Sequence, residues 1–217
     1  MNQLIDHTYL KPTGTKKDID LIVEEALQYK FKSVCIHPAW VAYVADCLKQ
    51  SNVLTCTVIG FPLGAHSTAT KVFETRDALA NGADEIDMVA NIGWLLSHQW
   101  DLFYDEVKAI KEVCGTQTLK VILETCYLDD KILTKATEKA VAAGADFVKT
   151  STGFGPEGAN THVVSLMAKA AGGKGVKASG GVRTLADVEA MVDAGATRIG
   201  TSNGVAIMQG HQATENY

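Results

Sequence analysis

The sequence predicts an α/β protein, a single (β/α)8 TIM barrel over residues 1–217, and two observations carry that expectation. Amphipathic helical stretches alternate with short β-branched runs along the whole chain. A Gly-Ala step also joins helix to strand repeatedly, in Asn81-Gly82-Ala83-Asp84, Ala143-Gly144-Ala145-Asp146 and Ala194-Gly195-Ala196-Thr197. Each of these glycines stands where a helix C-terminus favours a residue free to adopt positive φ. Strict alternation implies a parallel sheet covered by helices, and eight units favour closure. A doubly wound open sheet is the alternative, but no GxGxxG follows the first strand.

With this unit as guide, strands are expected at 4–9, 33–37, 54–60, 85–90, 119–125, 147–152, 175–179 and 198–202. A helix is expected after each, at 16–29, 38–50, 66–81, 97–114, 128–143, 160–171, 184–194 and 203–209. A chain that is 47% hydrophobic and 21% charged, without linkers or low-complexity segments, suits one large core.

Bulk charge narrows the function. A net charge of −5 argues against nucleic acid or an anionic membrane surface as partner. No apolar run approaches the ~20 residues of a membrane span, and the first residues carry no export signal. Cys35, Cys47, Cys56, Cys114 and Cys126 form no CxxC pair and read as reduced thiols of a cytoplasmic protein. The six histidines show no HExxH or His-x-His spacing, so metal-dependent chemistry is not expected.

Two lysines stand out, Lys149 in Phe147-Val148-Lys149-Thr150-Ser151-Thr152-Gly153 and Lys177 in Gly175-Val176-Lys177-Ala178-Ser179-Gly180-Gly181. Residues two apart share a face of a strand. The alternation therefore turns Lys149, Lys177 and, on the fourth strand, Asp87 toward the barrel interior near the C-terminal mouth, with Asp6 at a similar height on the first. Burying a lysine is costly unless its charge is removed or paired. Desolvation and a neighbouring cation both lower an amine's pKa, so one lysine can attack a carbonyl while the carboxylate and the second lysine move protons. A buried ion-pair network that merely fills the barrel is the alternative.

The loops after the seventh and eighth strands form a candidate anion site. Gly180, Gly181 and Arg183 lie in the first; Gly200, Ser202, Asn203 and Gly204 lie in the second, just before a short helix. Barrels of this type often hold phosphate there, on backbone N–H groups that glycine lets approach. Cys35, on the second strand, is a further candidate at the mouth, although cysteine more often packs in a core.

The two lysine motifs resemble those of the deoxyribose-phosphate aldolase family. So do Ile5-Asp6-His7-Thr8, Val34-Cys35-Ile36, Gly60-Phe61-Pro62 and Ala83-Asp84-Glu85-Ile86-Asp87-Met88-Val89, in order over nearly the whole chain. The resemblance implies a class I aldolase that reversibly cleaves 2-deoxy-D-ribose 5-phosphate into acetaldehyde and D-glyceraldehyde 3-phosphate. It makes Lys149 the Schiff-base lysine, Lys177 the lysine that tunes it, Asp87 the proton-transferring carboxylate and Asp6 the partner of Lys177, and it implies neither metal nor organic cofactor. Thr150 and Gly153 join the substrate-binding set. Some relatives carry a lysine where this chain has Phe154, and a second serine where it has Asn203, so a weaker preference for the phosphorylated sugar is expected. The expected partners are these small molecules and, in a homodimer, a second copy of the chain. Transaldolase-like barrels, pyridoxal-phosphate-related barrels and a non-catalytic sugar-phosphate-binding barrel share parts of the pattern. The tail from Gly210 lacks apolar periodicity and is expected to be mobile. Its length would let Tyr217 return to the mouth as a proton relay.

Overall fold

In a computed structural model of the chain, residues 1–210 are described. The tail after Gly210, with the expected Tyr217 relay, lies outside the described residues. Eight parallel strands close in sequence order: β1 (Ile5–Tyr9), β2 (Ser33–Ile36), β3 (Leu54–Ile59), β4 (Glu85–Val89), β5 (Thr118–Ile122), β6 (Phe147–Lys149), β7 (Gly175–Ser179) and β8 (Arg198–Thr201), with β8 pairing back onto β1. The (β/α)8 expectation therefore holds.

The helices are α1 (Lys16–Tyr29), α2 (Val41–Leu48), α3 (Thr68–Ala80), α4 (Ile92–Leu96), α5 (Trp100–Cys114), α6 (Asp130–Ala142), α7 (Thr161–Ala170), α8 (Leu185–Asp193) and α9 (Gly204–Met208). Their starts follow from local chemistry. Thr15 and Asp18 form a capping box on α1, and Thr184 and Asp187 form one on α8. Ser67, Asn91, Asp129 and Asn160 cap α3, α4, α6 and α7 by accepting the backbone N–H three residues on.

The differences from expectation are local. The helix expected at 38–50 opens with a 3-10 turn, Pro38–Trp40, and the α-helix itself runs Val41–Leu48. The helix expected from 97 begins at Trp100, and the five-residue α4, too short to show a period, precedes it. Strands β5 and β6 stop three residues early; after β5 the backbone turns at Glu124, which holds a left-handed φ of 50°.

Most of the apolar core lies between barrel and helices, where Ile86, Met88, Val121 and Val148 meet Phe103, Val107, Leu133 and Ala136. Inside the barrel the apolar set is small: Leu10, Cys35, Cys56 and Val58, with Phe61 against them. The ring of Phe147 also faces the interior, 5.1 Å from the guanidinium of Arg198, and Gly175 opposite leaves room for it. Much of the remaining interior is ionic. No helix among the described residues is long and apolar enough to cross a membrane.

Candidate active site

Each strand places its charged residue by the two-residue alternation. Register sets Lys149 level with Lys177, and Asp87 level with Lys120 on β5. The result is a buried cluster of four cations, Lys120, Lys149, Lys177 and Arg198, around three carboxylates, Asp6, Glu85 and Asp87.

Asp87 is the hub. Its Oδ2 accepts from Nζ of Lys149 at 2.9 Å and from Nζ of Lys177 at 2.8 Å, while Oδ1 accepts from Lys120 at 2.8 Å. Asp6 pairs with Lys177 at 2.5 Å and with Arg198 at 2.7 Å, and Arg198 reaches on to Glu85. The structure thus brings together the four residues expected to carry the chemistry.

The electrostatics follow from this geometry. Burial pushes the Asp87 carboxyl up, but Lys120, Lys149 and Lys177 outweigh it and hold it well below the usual carboxylate range. Burial acts likewise on Asp6, where Lys177, Lys120 and Arg198 win. At Lys177 the neighbouring carboxylates outweigh burial. Burial lowers it, yet Asp6 and Asp87 together raise it above its ordinary value, so Lys177 is the fixed ammonium of the pair.

Lys120, Arg198 and Glu85 were not among the expected site residues. The signal existed: applied to Leu119-Lys120-Val121, the alternation used on the other strands turns Lys120 inward opposite Asp87. Cys35 packs inside the barrel beside Cys56, whose hydrogen bond lowers the Cys35 thiol against the effect of burial. Cys35, Cys56 and Asp87 place ligand-type atoms within 4.8 Å of one another. An ammonium already bridges two of them, for Lys120 Nζ lies 3.3 Å from Cys56 Sγ.

The loop residues divide. Gly153, Gly180, Gly181 and Arg183 line one cleft at the mouth, with Gly155, Glu157 and Gly158. Gly181 has φ +80° and open space where a Cβ would stand, as an anion-binding backbone needs. Ser202 and Asn203 instead line a neighbouring groove with His7, Tyr9, Lys11 and Glu25.

Three of the expected binding residues also have packing roles. The hydroxyl of Thr150 is engaged by the backbone of Ser179, donating to its carbonyl at 3.0 Å and accepting from its N–H at 3.0 Å, so it staples β6 to β7. Gly200 makes room for Lys177, whose Cε would lie 2.9 Å from an added Cβ. At Gly204 an added Cβ would meet His7 Nδ1 and Phe31 at 2.9 Å, so close packing accounts for that glycine.

A closed parallel barrel with a lysine–carboxylate centre at its mouth belongs to the barrel enzymes that work through side-chain amines and acids. The DeoC/LacD family aldolase model matches residues 1–210, and the chain belongs to that family. It is 52% identical over 218 residues to the deoxyribose-phosphate aldolase of Streptococcus mutans serotype c, covering 100% of this chain and 99% of that protein. It is 56% identical over 216 residues to deoxyribose-phosphate aldolase 2 of Staphylococcus aureus strain MRSA252, covering 99% and 98%. Among solved structures, the tetrameric deoxyribose phosphate aldolase of Aeropyrum pernix superposes with a TM-score of 0.90 at 37% identity, over 96% of this chain and 89% of that one.

Proposed function

We propose that this chain is a class I aldolase, a lyase that reversibly cleaves 2-deoxy-D-ribose 5-phosphate into acetaldehyde and D-glyceraldehyde 3-phosphate through a Schiff base on Lys149. The observation that carries the reading is the shared oxygen: Lys149 and Lys177 both lie on Asp87 Oδ2, at 2.9 and 2.8 Å. The names of the curated relatives support the substrate.

Lys149 keeps 3% of its side chain exposed, while Lys177 is fully buried between Asp6 and Asp87. Lys149 therefore serves as nucleophile. It adds to C1 of the open-chain sugar and loses water to give an iminium. Loss of the C3 hydroxyl proton then breaks the C2–C3 bond, whose electron pair flows into the iminium to give an enamine, and glyceraldehyde 3-phosphate leaves. Protonation at C2 and hydrolysis release acetaldehyde and the free amine. Asp87, ionised and touching three ammonium groups, relays the protons, with Lys177 as the donor and Asp6 holding Lys177 in place. The cleft of Gly153, Gly181 and Arg183 takes the phosphate.

This chemistry needs neither metal nor organic cofactor. We also read the protein as cytoplasmic, in keeping with its free cysteines, and as a homodimer, an assembly that sedimentation measures directly.

Borohydride reduction with acetaldehyde, followed by mass spectrometry, tests the centre of the reading. Lys149 should gain two carbons, and Lys149→Ala should lose both turnover and trapping. Modification of Lys177 with Lys149 untouched reverses the assignment.

A further inference from the structure

Glu124 is a buried acid that the aldol scheme leaves unused. It sits at the end of β5 with 4% of its surface exposed. Its backbone holds φ 50° and ψ 65°, a left-handed conformation that side-chain-bearing residues seldom adopt and that concentrates at functional sites. The flanking backbone grips β6 just where Lys149 emerges: Leu123 N–H donates to the Lys149 carbonyl at 2.9 Å, and Thr125 N–H to the Thr150 carbonyl at 3.0 Å.

Between these two bonds the left-handed turn sends the Glu124 side chain over the segment that follows Lys149. Thr152 N–H donates to Oε1 at 3.1 Å, and the Thr152 hydroxyl donates to Oε2. The same hydroxyl accepts from Phe154 N–H at 3.0 Å, so carboxylate, hydroxyl and turn form one chain of hydrogen bonds. Gly155 closes over it, since a Cβ there would come within 3.3 Å of the carboxyl group. Glu124 and Thr152 also line a cleft at the mouth, walled by Pro62, Leu63, Ile92, Tyr127 and Phe154.

We propose that Glu124 is a positioning residue of the aldol site, acting through Thr152: as a carboxylate it locks the 150–155 turn and with it Lys149, and on protonation it releases that turn. The inference rests on the aldolase reading. Both donors of Thr152 point at the acid, and a carboxylate accepts both, whereas a protonated carboxyl turns one oxygen into a competing donor. The groups facing Glu124 are Lys149 from β6 and Cys126 and Tyr127 from its own turn, with Glu157 beyond Cys126. Burial raises the Glu124 carboxyl above the usual glutamate range, against the hydrogen bonds from Thr152 and the charge of Lys149. Asp6 and Asp87 are held in the opposite direction, so of these three carboxyls Glu124 is the first to take up a proton as pH falls.

The test uses two variants of the full chain. Glu124→Gly accepts the left-handed backbone while removing the carboxylate; Glu124→Gln keeps the shape without the charge. Borohydride trapping at Lys149 in the unmodified enzyme is read first, and it alone decides the aldolase reading. Then kcat and kcat/KM are followed against pH, with thermal unfolding in parallel. The expected result is near-native unfolding with kcat down by on the order of 10²-fold, the scale of a small misplacement at a reacting centre. Glu124→Gln should also lose the acid limb of the unmodified enzyme. Native kcat in Glu124→Gln, an unmoved acid limb, or loss of activity only in step with loss of folded protein overturns the proposal.

Discussion

At the scale of single residues, the buried centre holds its carboxylate charge fixed. Asp87 touches three ammonium groups and is held far below its ordinary pKa. The sign of its contribution follows. A carboxylate whose folded pKa is depressed stabilises the fold above its unfolded value of about 3.9. That stability is lost as pH falls through the lower folded value. Over the range where an aldolase is assayed, Asp87 is therefore always ionised. Asp87→Asn removes the base and leaves three cations facing an amide. We expect kcat to fall by on the order of 10²-fold or more, the range assigned to general acid–base catalysis. KM should change far less, and the loss should be uniform across pH. A pH-rate profile of Asp87→Asn checks this: a loss confined to one end of the pH range would contradict permanent ionisation, and near-native kcat would make Asp87 a counter-ion only.

At the scale of elements, a second buried pair holds the strand that carries Asp87. Lys71 on α3 donates to Glu106 on α5 at 2.9 Å and to the carbonyl of Val89 at 2.8 Å, two residues beyond Asp87 on β4. Both side chains are fully buried. Burial pushes Lys71 down and Glu106 up, each opposed by its partner. Removing one partner leaves an uncompensated charge, which costs about 3–5 kcal/mol. Glu106→Leu should thus lower stability by that amount in urea unfolding, whereas Lys71→Met/Glu106→Leu should recover much of it. A double variant no more stable than Glu106→Leu would show that the bond to Val89, rather than charge compensation, is what counts. The strand-helix alternation was legible because each unit repeats one pattern, and the inward turn of Lys149, Lys177 and Asp87 followed from period two. Lys71 and Glu106 were not legible, since the contact joins two helices 35 positions apart. Nor was the left-handed turn at Glu124, because Leu123-Glu124-Thr125 carries no glycine to mark it.

At the scale of the whole molecule, barrel closure decides which loops can share a ligand. Asp6 and Arg198 lie 192 positions apart and meet only when β1 pairs with β8. Alternation within a strand predicts such a meeting, but the tilt of the loops above it is set by packing that no local pattern records. The glycine loops after β7 and β8 therefore read as one anion site in the sequence, yet Gly181 and Arg183 line one cleft and Ser202 and Asn203 another. Phe154 stands apart from both. Its ring meets Phe61 edge-on at 5.3 Å and walls the cleft of Pro62, Leu63 and Ile92, which joins the Arg183 cleft through Gly155. The phosphate is remote from the reacting carbon, so its binding energy serves to position the sugar. Arg183→Ala should raise KM for the phosphate ester by roughly tenfold, the loss of one charge-assisted contact of about 1.5–3 kcal/mol at its weaker end, and should leave deoxyribose nearly unchanged. Phe154→Lys should help the ester less than a lysine in the Arg183 cleft would, because it also dismantles the contact with Phe61. Steady-state kinetics on both sugars separates the cases. Equal changes for ester and free sugar in Arg183→Ala would remove Arg183 from phosphate binding, and a large gain for the ester in Phe154→Lys would show that the two clefts act as one.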